Sequence, residues 1–164
     1  MLHDIYPKIE LTVSDVRESI LNNLKKRFEK AGIKNYKSFM LDIGMENIQY
    51  LIPHSPFSII MADVPCTGSG TWSRTPEQLY FFDKIKIEQY AALQKKIVSN
   101  VIPYLKENGF FVYITCSVFK KENEEMADLL KNKFHLELIK MELLKGYDKK
   151  ADTMFAALFR KATA

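Results

Sequence analysis

The sequence is short of the residues that build disulfide scaffolds and metal centres. Two cysteines, Cys66 and Cys116, are too few among 164 residues for a disulfide framework or a four-cysteine zinc site, and a reducing compartment keeps both as thiols. The three histidines, His3, His54 and His135, share no ligand-like spacing, so no metal is assigned. No uncharged apolar run approaches the roughly 18 residues of a membrane-crossing helix. The opening MLHDIYPKIE lacks both the basic start and the apolar stretch of a signal peptide, and a cytoplasmic location is expected. Internal repeats and low-complexity segments are also missing.

What is present is ample material for a core. With 47% hydrophobic and 12% aromatic residues, the chain is expected to form one globular domain over residues 1–164. Lys and Arg number 24 against 20 Asp and Glu, a formal charge of +4 that permits a polyanionic partner without requiring one.

The hydrophobic pattern alternates between two periods. Residues 9–13 (IELTV) read as a strand; Ser14-Asp15 can cap a helix with Val16, Ile20, Leu24 and Phe28 on one face, ended by Gly32. Residues 36–41 read as a second strand and 57–62 (FSIIMA) as a third, buried one, separated by a helical or irregular segment ending at Pro53. Thr75-Pro76 can start a helical stretch, and residues 85–105 follow a 3.6 period through Ile87, Tyr90, Ala91, Ile97, Val98 and Val101, with Gln94 as the polar exception and Pro103 kinking the last turn. Asn108-Gly109 punctuates the chain before FFVYIT, a run of the kind buried on both faces of a sheet. A helix from about Lys121 turns Met126, Leu129 and Leu130 inward, and residues 135–141 and 154–160 supply two last strands around a solvated 145–150 segment. Met45, Met61 and Met126 are expected as core filler. Strands alternating with helices predict an α/β fold with a mostly parallel sheet.

In open α/β sheets, ligands bind beyond the C-terminal ends of the strands. The residues at those positions are Asp15, Asp42, the segment DVPCTGSG (Asp63 to Gly70) and Cys116-Ser117, so both cysteines fall on one rim. Asp15 can cap its helix equally well, but two acids in series suit a nucleoside, one accepting the ribose hydroxyls and one reaching the adenine amino group. Pro65 stiffens its loop, Gly68 and Gly70 let backbone approach a planar ligand, and Cys66 sits at the bend.

DVPCTGSG followed fifty residues on by VYITCS is similar to the paired Asp-x-Pro-Cys-x-Gly-x-Gly and Thr-Cys-Ser motifs of the NOL1/NOP2/Sun (RsmB-like) family of RNA m5C methyltransferases. LTVSDVRESILNNLKKRFEKAGI, TWSRTPE, CSVFKKENEEMADLL and DTMFAALFRK extend the resemblance over nearly the whole chain. It implies a Rossmann-like class I methyltransferase sheet and S-adenosyl-L-methionine as cofactor, with Asp15, Asp42 and Asp63 around it. Ribosomal or transfer RNA would be the substrate. Cys116 is implied as the nucleophile adding to carbon 6 of cytosine, which loads electron density onto carbon 5. Cys66 is implied to assist loss of the carbon-5 proton and release of the adduct, and Asp63 to bond the cytosine N3/N4 edge. Sequence logic alone leaves the order of the two cysteines open. Cys116 just before a helix would find its thiolate stabilised. Pro65, Arg74 and Ser117 are candidates for substrate contact, as are Lys120 and Lys121 for phosphate, and the target base must be unstacked or single-stranded.

The departure from the family pattern is the Pro-Gly-Gly-Lys loop and the strand before it, which these 164 residues do not contain. The chain as given is therefore expected to bind cofactor weakly and to be silent alone, with either an altered sheet or a homodimer filling the gap. Competing readings are an amino-group methyltransferase, disfavoured by Cys66-Thr67 where Pro-aromatic would stand, a non-catalytic RNA-binding or scaffold remnant, and a cysteine hydrolase, for which no rim motif supplies a histidine.

Overall fold

The computed structural model describes residues 6, 8–46 and 56–163. The chain divides into two units, Met1–Met45 and Glu46–Ala164. His3, His54 and the segment ending at Pro53 lie outside the described residues.

The first unit is a single β-α-β turn of chain. Strand β1 (Leu11–Asp15) pairs in parallel with β2 (Tyr36–Met40), Leu11 opposite Tyr36 and Asp15 opposite Met40. Parallel neighbours need a crossover, and helix α1 (Glu18–Lys30) supplies it. Gly32, at φ 70°, closes the helix: its N–H bonds the Glu29 carbonyl and the next N–H bonds that of Phe28. Of the expected apolar face, Leu24 and Phe28 are half-buried, Phe28 edge-on against Tyr36, but its first two members are not inward. Val16 precedes the helix and is exposed, as is Ile20, while Leu21 is buried. Ser14 and Asp15 belong to the strand, and Asp15 instead accepts the Arg17 backbone N–H, which places an uncapped Arg17 at the helix start. A two-stranded sheet offers little surface to cover, and Leu21, Ile33 and Leu41 are the buried hydrophobics of this unit.

The second unit holds β3 (Phe57–Asp63), α2 (Glu77–Tyr80), α3 (Ile85–Val101), β4 (Leu105–Thr115), α4 (Glu124–Phe134), β5 (Leu136–Leu144) and β6 (Met154–Lys161). Its sheet has the order β3-β4-β6-β5; β3 is parallel to β4, and β6 is antiparallel to both β4 and β5. Three of its four strands thus run the same way, and with the parallel β1–β2 pair this is the mostly parallel, Rossmann-like α/β arrangement. The described strands fall into two sheets rather than one.

Side chains alternate along β4 and β6, so Phe111, Tyr113 and Thr115 join Phe155, Ala157 and Phe159 on one buried face. Val98 and Val101 of α3 and Met126, Ala127 and Leu130 of α4 complete that core. The burial expected for the third strand, and the burial on both faces expected for FFVYIT, are not found. Ile59 and Met61 are 41% and 57% exposed and Phe110 is exposed beside Ile59, because β3 is an edge strand and one face of the sheet is uncovered among the described residues. Met45 is exposed too, which leaves Met126 as core filler.

Three boundaries moved for local reasons. Asn108-Gly109 does not end an element but forms an irregularity inside β4, with Asn108 at φ 60° and a register shift opposite Phe57 to Ile59. Pro103 does not kink α3, which stops at Val101 and passes into a 3-10 turn, Ile102–Tyr104. Helix α4 begins at Glu124 rather than near Lys121, since Glu122 and Asn123 turn inward to bond the loop after β4.

Candidate active site

Because β3 and β4 are adjacent and parallel, with Asp63 opposite Ile114, the loops that follow them leave the same end of the sheet. The Val64 N–H extends the ladder one step to the Ile114 carbonyl. Cys66 stands three residues beyond β3 and Cys116 directly after β4, and their sulfur atoms lie 3.2 Å apart, a hydrogen-bonding separation.

Gly70 joins three loops at this end. Its N–H bonds the Cys116 carbonyl at 2.8 Å and its carbonyl accepts the Thr153 N–H at 2.9 Å. A Cβ there would fall 2.0 Å from the Thr153 oxygen and 2.9 Å from that of Cys116, so only glycine fits. Trp72, Phe82 and Phe119 brace the same loops, the two phenylalanine rings stacked 5.5 Å apart and the indole 4.8 Å from Phe82.

The shared proton divides the thiols. The Cys66 hydrogen bond holds the Cys116 pKa down to about 7 against partial burial and the negative charges of Asp63 and Asp152. Cys66, more deeply buried, is pushed upward, first by its contact with Cys116 and then by desolvation. The contact thus makes the two thiols unequal, favouring the thiolate on Cys116 and the thiol on Cys66. The stabilisation of Cys116 does not come from a helix directly behind it, as expected, because α4 starts eight residues later.

Beneath the two thiols lies a buried polar cluster that sequence reasoning did not single out. Glu122, 0% exposed, accepts the Thr67 N–H at 2.9 Å and Gln94 Nε2 at 3.1 Å on one oxygen, and the Thr67 and Ser117 hydroxyls on the other. Gln94, also 0% exposed, donates to the Pro65 carbonyl as well. Its signal was in the sequence, as the one polar residue on the apolar face of α3.

The other expected site residues divide. Asp63 ends β3, is exposed, and lies close enough to act on the Cys116 charge. Pro65 is exposed beside Cys66. Arg74 forms a two-pronged ion pair with Asp152, at 2.7 and 3.0 Å, beside a cleft of about 300 Å³ also lined by Ser73, Tyr147 and Lys150. Ser117 is wholly buried and bonded to Glu122, so its hydroxyl faces protein rather than a bound base. Lys121 pairs with Glu88, while Lys120 is exposed. No cluster of metal-ligating side chains occurs among the described residues.

Asp15 and Asp42 belong to the first unit and are considered there alone. They stand at the C-terminal ends of neighbouring parallel strands, Asp15 as the last residue of β1 and Asp42 two residues after β2. Asp15 is bonded by Arg17 at 2.8 Å from the backbone and 3.1 Å from the guanidinium, which keeps its carboxyl below the usual range. Asp42 accepts the Gly44 N–H at 2.9 Å and is exposed.

Paired thiols at the mouth of a Rossmann-like sheet match a known family, whose description is 16S rRNA methyltransferase RsmB/F and whose model covers residues 2–160. The chain belongs to this family. Among its relatives, the ribosomal RNA small subunit methyltransferase F of Psychromonas ingrahamii is 28% identical over 142 residues, covering 85% of this chain and 29% of that protein. The methyltransferase B of Proteus mirabilis is 30% identical over 122 residues, covering 74% and 28%. The chain therefore spans less than a third of the length of these relatives. In fold it is similar to NSun6 from Pyrococcus horikoshii, solved with SFG, at a TM-score of 0.80, 21% identity, and coverage of 94% of this chain and 42% of that one. A methyltransferase homologue from the same organism is similar at a TM-score of 0.72 and 25% identity, covering 93% and 53%. The matched residues 2–160 include both cysteine loops.

Proposed function

We propose that this chain carries the base-binding and covalent half of an S-adenosylmethionine-dependent methyltransferase acting on carbon 5 of cytosine in RNA. The names of its relatives favour small-subunit ribosomal RNA over transfer RNA, and a cytoplasmic location goes with that substrate. The observation that carries the reading is the 3.2 Å approach of two thiols of unequal acidity on adjacent strand ends. One thiol is poised to attack and the other to handle a proton, as addition to a pyrimidine ring requires.

In this mechanism the Cys116 thiolate bonds carbon 6 and the ring electrons collect on carbon 5. S-adenosylmethionine supplies the methyl group as an electrophile. Cys66, after passing its own proton to solvent, accepts the carbon-5 proton; the electrons of that C–H bond re-form the carbon 5–carbon 6 double bond and expel Cys116 as the thiolate. Asp63 would accept the cytosine amino group, and that contact offsets the negative charge that opposes ionisation of Cys116. Pro65 flanks the base, and Arg74, once parted from Asp152, is free to meet phosphate. Ser117 is reassigned from substrate contact to support of the loop. Asp15 and Asp42 suit the ribose diol and the adenine amino group, because both are acceptors at neighbouring strand ends and neither is buried.

Covalent trapping tests the proposal. The chain, alone and joined to the upstream segment of a relative, is mixed with RNA containing 5-azacytosine and run under denaturing conditions. A protein–RNA adduct that persists in Cys66→Ala and vanishes in Cys116→Ala is expected. RNA binding without adduct in either form would favour the scaffold reading.

A further inference from the structure

We propose that Glu122 is a positioning residue whose carboxylate sets the separation of the two thiols by holding the residue that follows each of them. Thr67 follows Cys66 and Ser117 follows Cys116, and the same carboxylate receives the backbone N–H and hydroxyl of the first and the hydroxyl of the second. The residue preceding Cys66 is tied to the same point through Gln94, which bridges the Pro65 carbonyl at 2.9 Å and Glu122 at 3.1 Å. On the other side, Asn123 donates to the Ser117 carbonyl at 2.8 Å and accepts the Thr115 hydroxyl at 2.6 Å. The Tyr113 hydroxyl anchors the Glu122 backbone from β4 at 2.7 Å.

Burying a carboxylate is costly unless hydrogen bonds replace its water. Here the four donors are neutral, and they come from both cysteine loops and α3. Moving either loop outward would strip donors from a group that has no route to solvent, so the buried charge makes the distance between the loops stiff. The pair Cys66–Cys116 therefore meets at hydrogen-bonding range as a consequence of a contact made one residue further along each loop. The catalytic meaning of this device rests on the methyltransferase reading; the geometry does not.

The test reads the thiols of the full chain without RNA or cofactor. Alkylation of Cys116 by iodoacetamide, followed across pH by mass spectrometry, has an expected midpoint of about 7 in the unmodified protein. In Glu122→Gln the midpoint should rise toward the ~8.5 of an ordinary thiol, lowering the rate at pH 7 about tenfold. A role through charge alone predicts the opposite sign, since removing a negative charge eases thiolate formation; a lowered or unchanged midpoint overturns the proposal. In a Cys66→Ala background, Glu122→Gln should add no further shift, and an added shift would show that Glu122 acts by another route. Thermal unfolding monitors the fold throughout. Where Glu122→Gln does not fold, the double variant Thr67→Val with Ser117→Ala keeps the carboxylate and cuts its hydroxyl ties to both loops; it should raise the midpoint in the same direction, and an unchanged value refutes the idea. Failure here leaves adduct formation with RNA untouched, and failure of the adduct leaves this result standing.

Discussion

The two units of this chain use parallel strands and helices to different ends. The Glu46–Ala164 unit stacks aromatic side chains of β4 and β6 beneath two helices and hangs its reactive groups on loops tied at several points. The Met1–Met45 unit presents two carboxylates on one parallel strand pair, over a core of little more than Leu21, Ile33 and Leu41. Thiol chemistry needs sub-ångström placement and so depends on a stiff scaffold. Carboxylates that bind a ligand through hydroxyl and amino groups can be ordered by the ligand itself, and a lighter frame suffices for them.

This contrast can be broken by substitution. The largest effect on stability is expected for Phe111→Ala, which empties a wholly buried site in the four-stranded unit and should cost about 3–5 kcal/mol in denaturant unfolding. Leu21→Ala should instead release amide protection in β1 and β2 while leaving β4 and β6 protected, as read by hydrogen exchange; loss of protection in both sheets would show that the units do not unfold separately. Cofactor binding to the 164-residue chain should be weaker than micromolar by titration calorimetry, because the Asp15–Asp42 strand ends rest on a small core of Leu21, Ile33 and Leu41. Cys66→Ala should raise the pH midpoint of Cys116 alkylation from about 7, since the hydrogen bond from Cys66 is its main cause. The sign follows from the thiolate being the reactive form: reactivity grows as pH rises through the midpoint and is lost below it. The smallest effect belongs to Arg17→Ala. Its ion pair with Asp15 is solvent-exposed, so unfolding should not change measurably while Asp15 becomes more accessible to a ligand.

Much of this was legible from residue order. The places of the two cysteines after two strands, the approximate element pattern and the stop at Gly32 followed from hydrophobic period and turn chemistry, and the cysteine motifs from their family resemblance; the end of α3 at Val101 did not, since the apolar period runs on to residue 105. Burial was less legible, because Ile59, Met61 and Phe110 have the composition of a two-sided core and are exposed for want of covering elements among the described residues. The capping role given to Ser14-Asp15 failed because Asp15 finds Arg17 two residues on and stays in the strand. Gln94 could have been found as a break in an apolar helix face; the Glu-Asn-Glu beginning at Glu122 belonged to the family resemblance, but no local pattern shows that its first side chain turns inward to both cysteine loops.

By itself, the sequence determined which groups this protein brings to the ends of its strands, since strand period and loop residues are local properties of the chain. Only the tertiary structure decided that the two sulfurs meet at hydrogen-bonding distance, where the contact holds the Cys116 pKa down and pushes that of Cys66 up. Acidity depends on distance, burial and neighbouring charge, and for residues fifty positions apart those are set by packing alone.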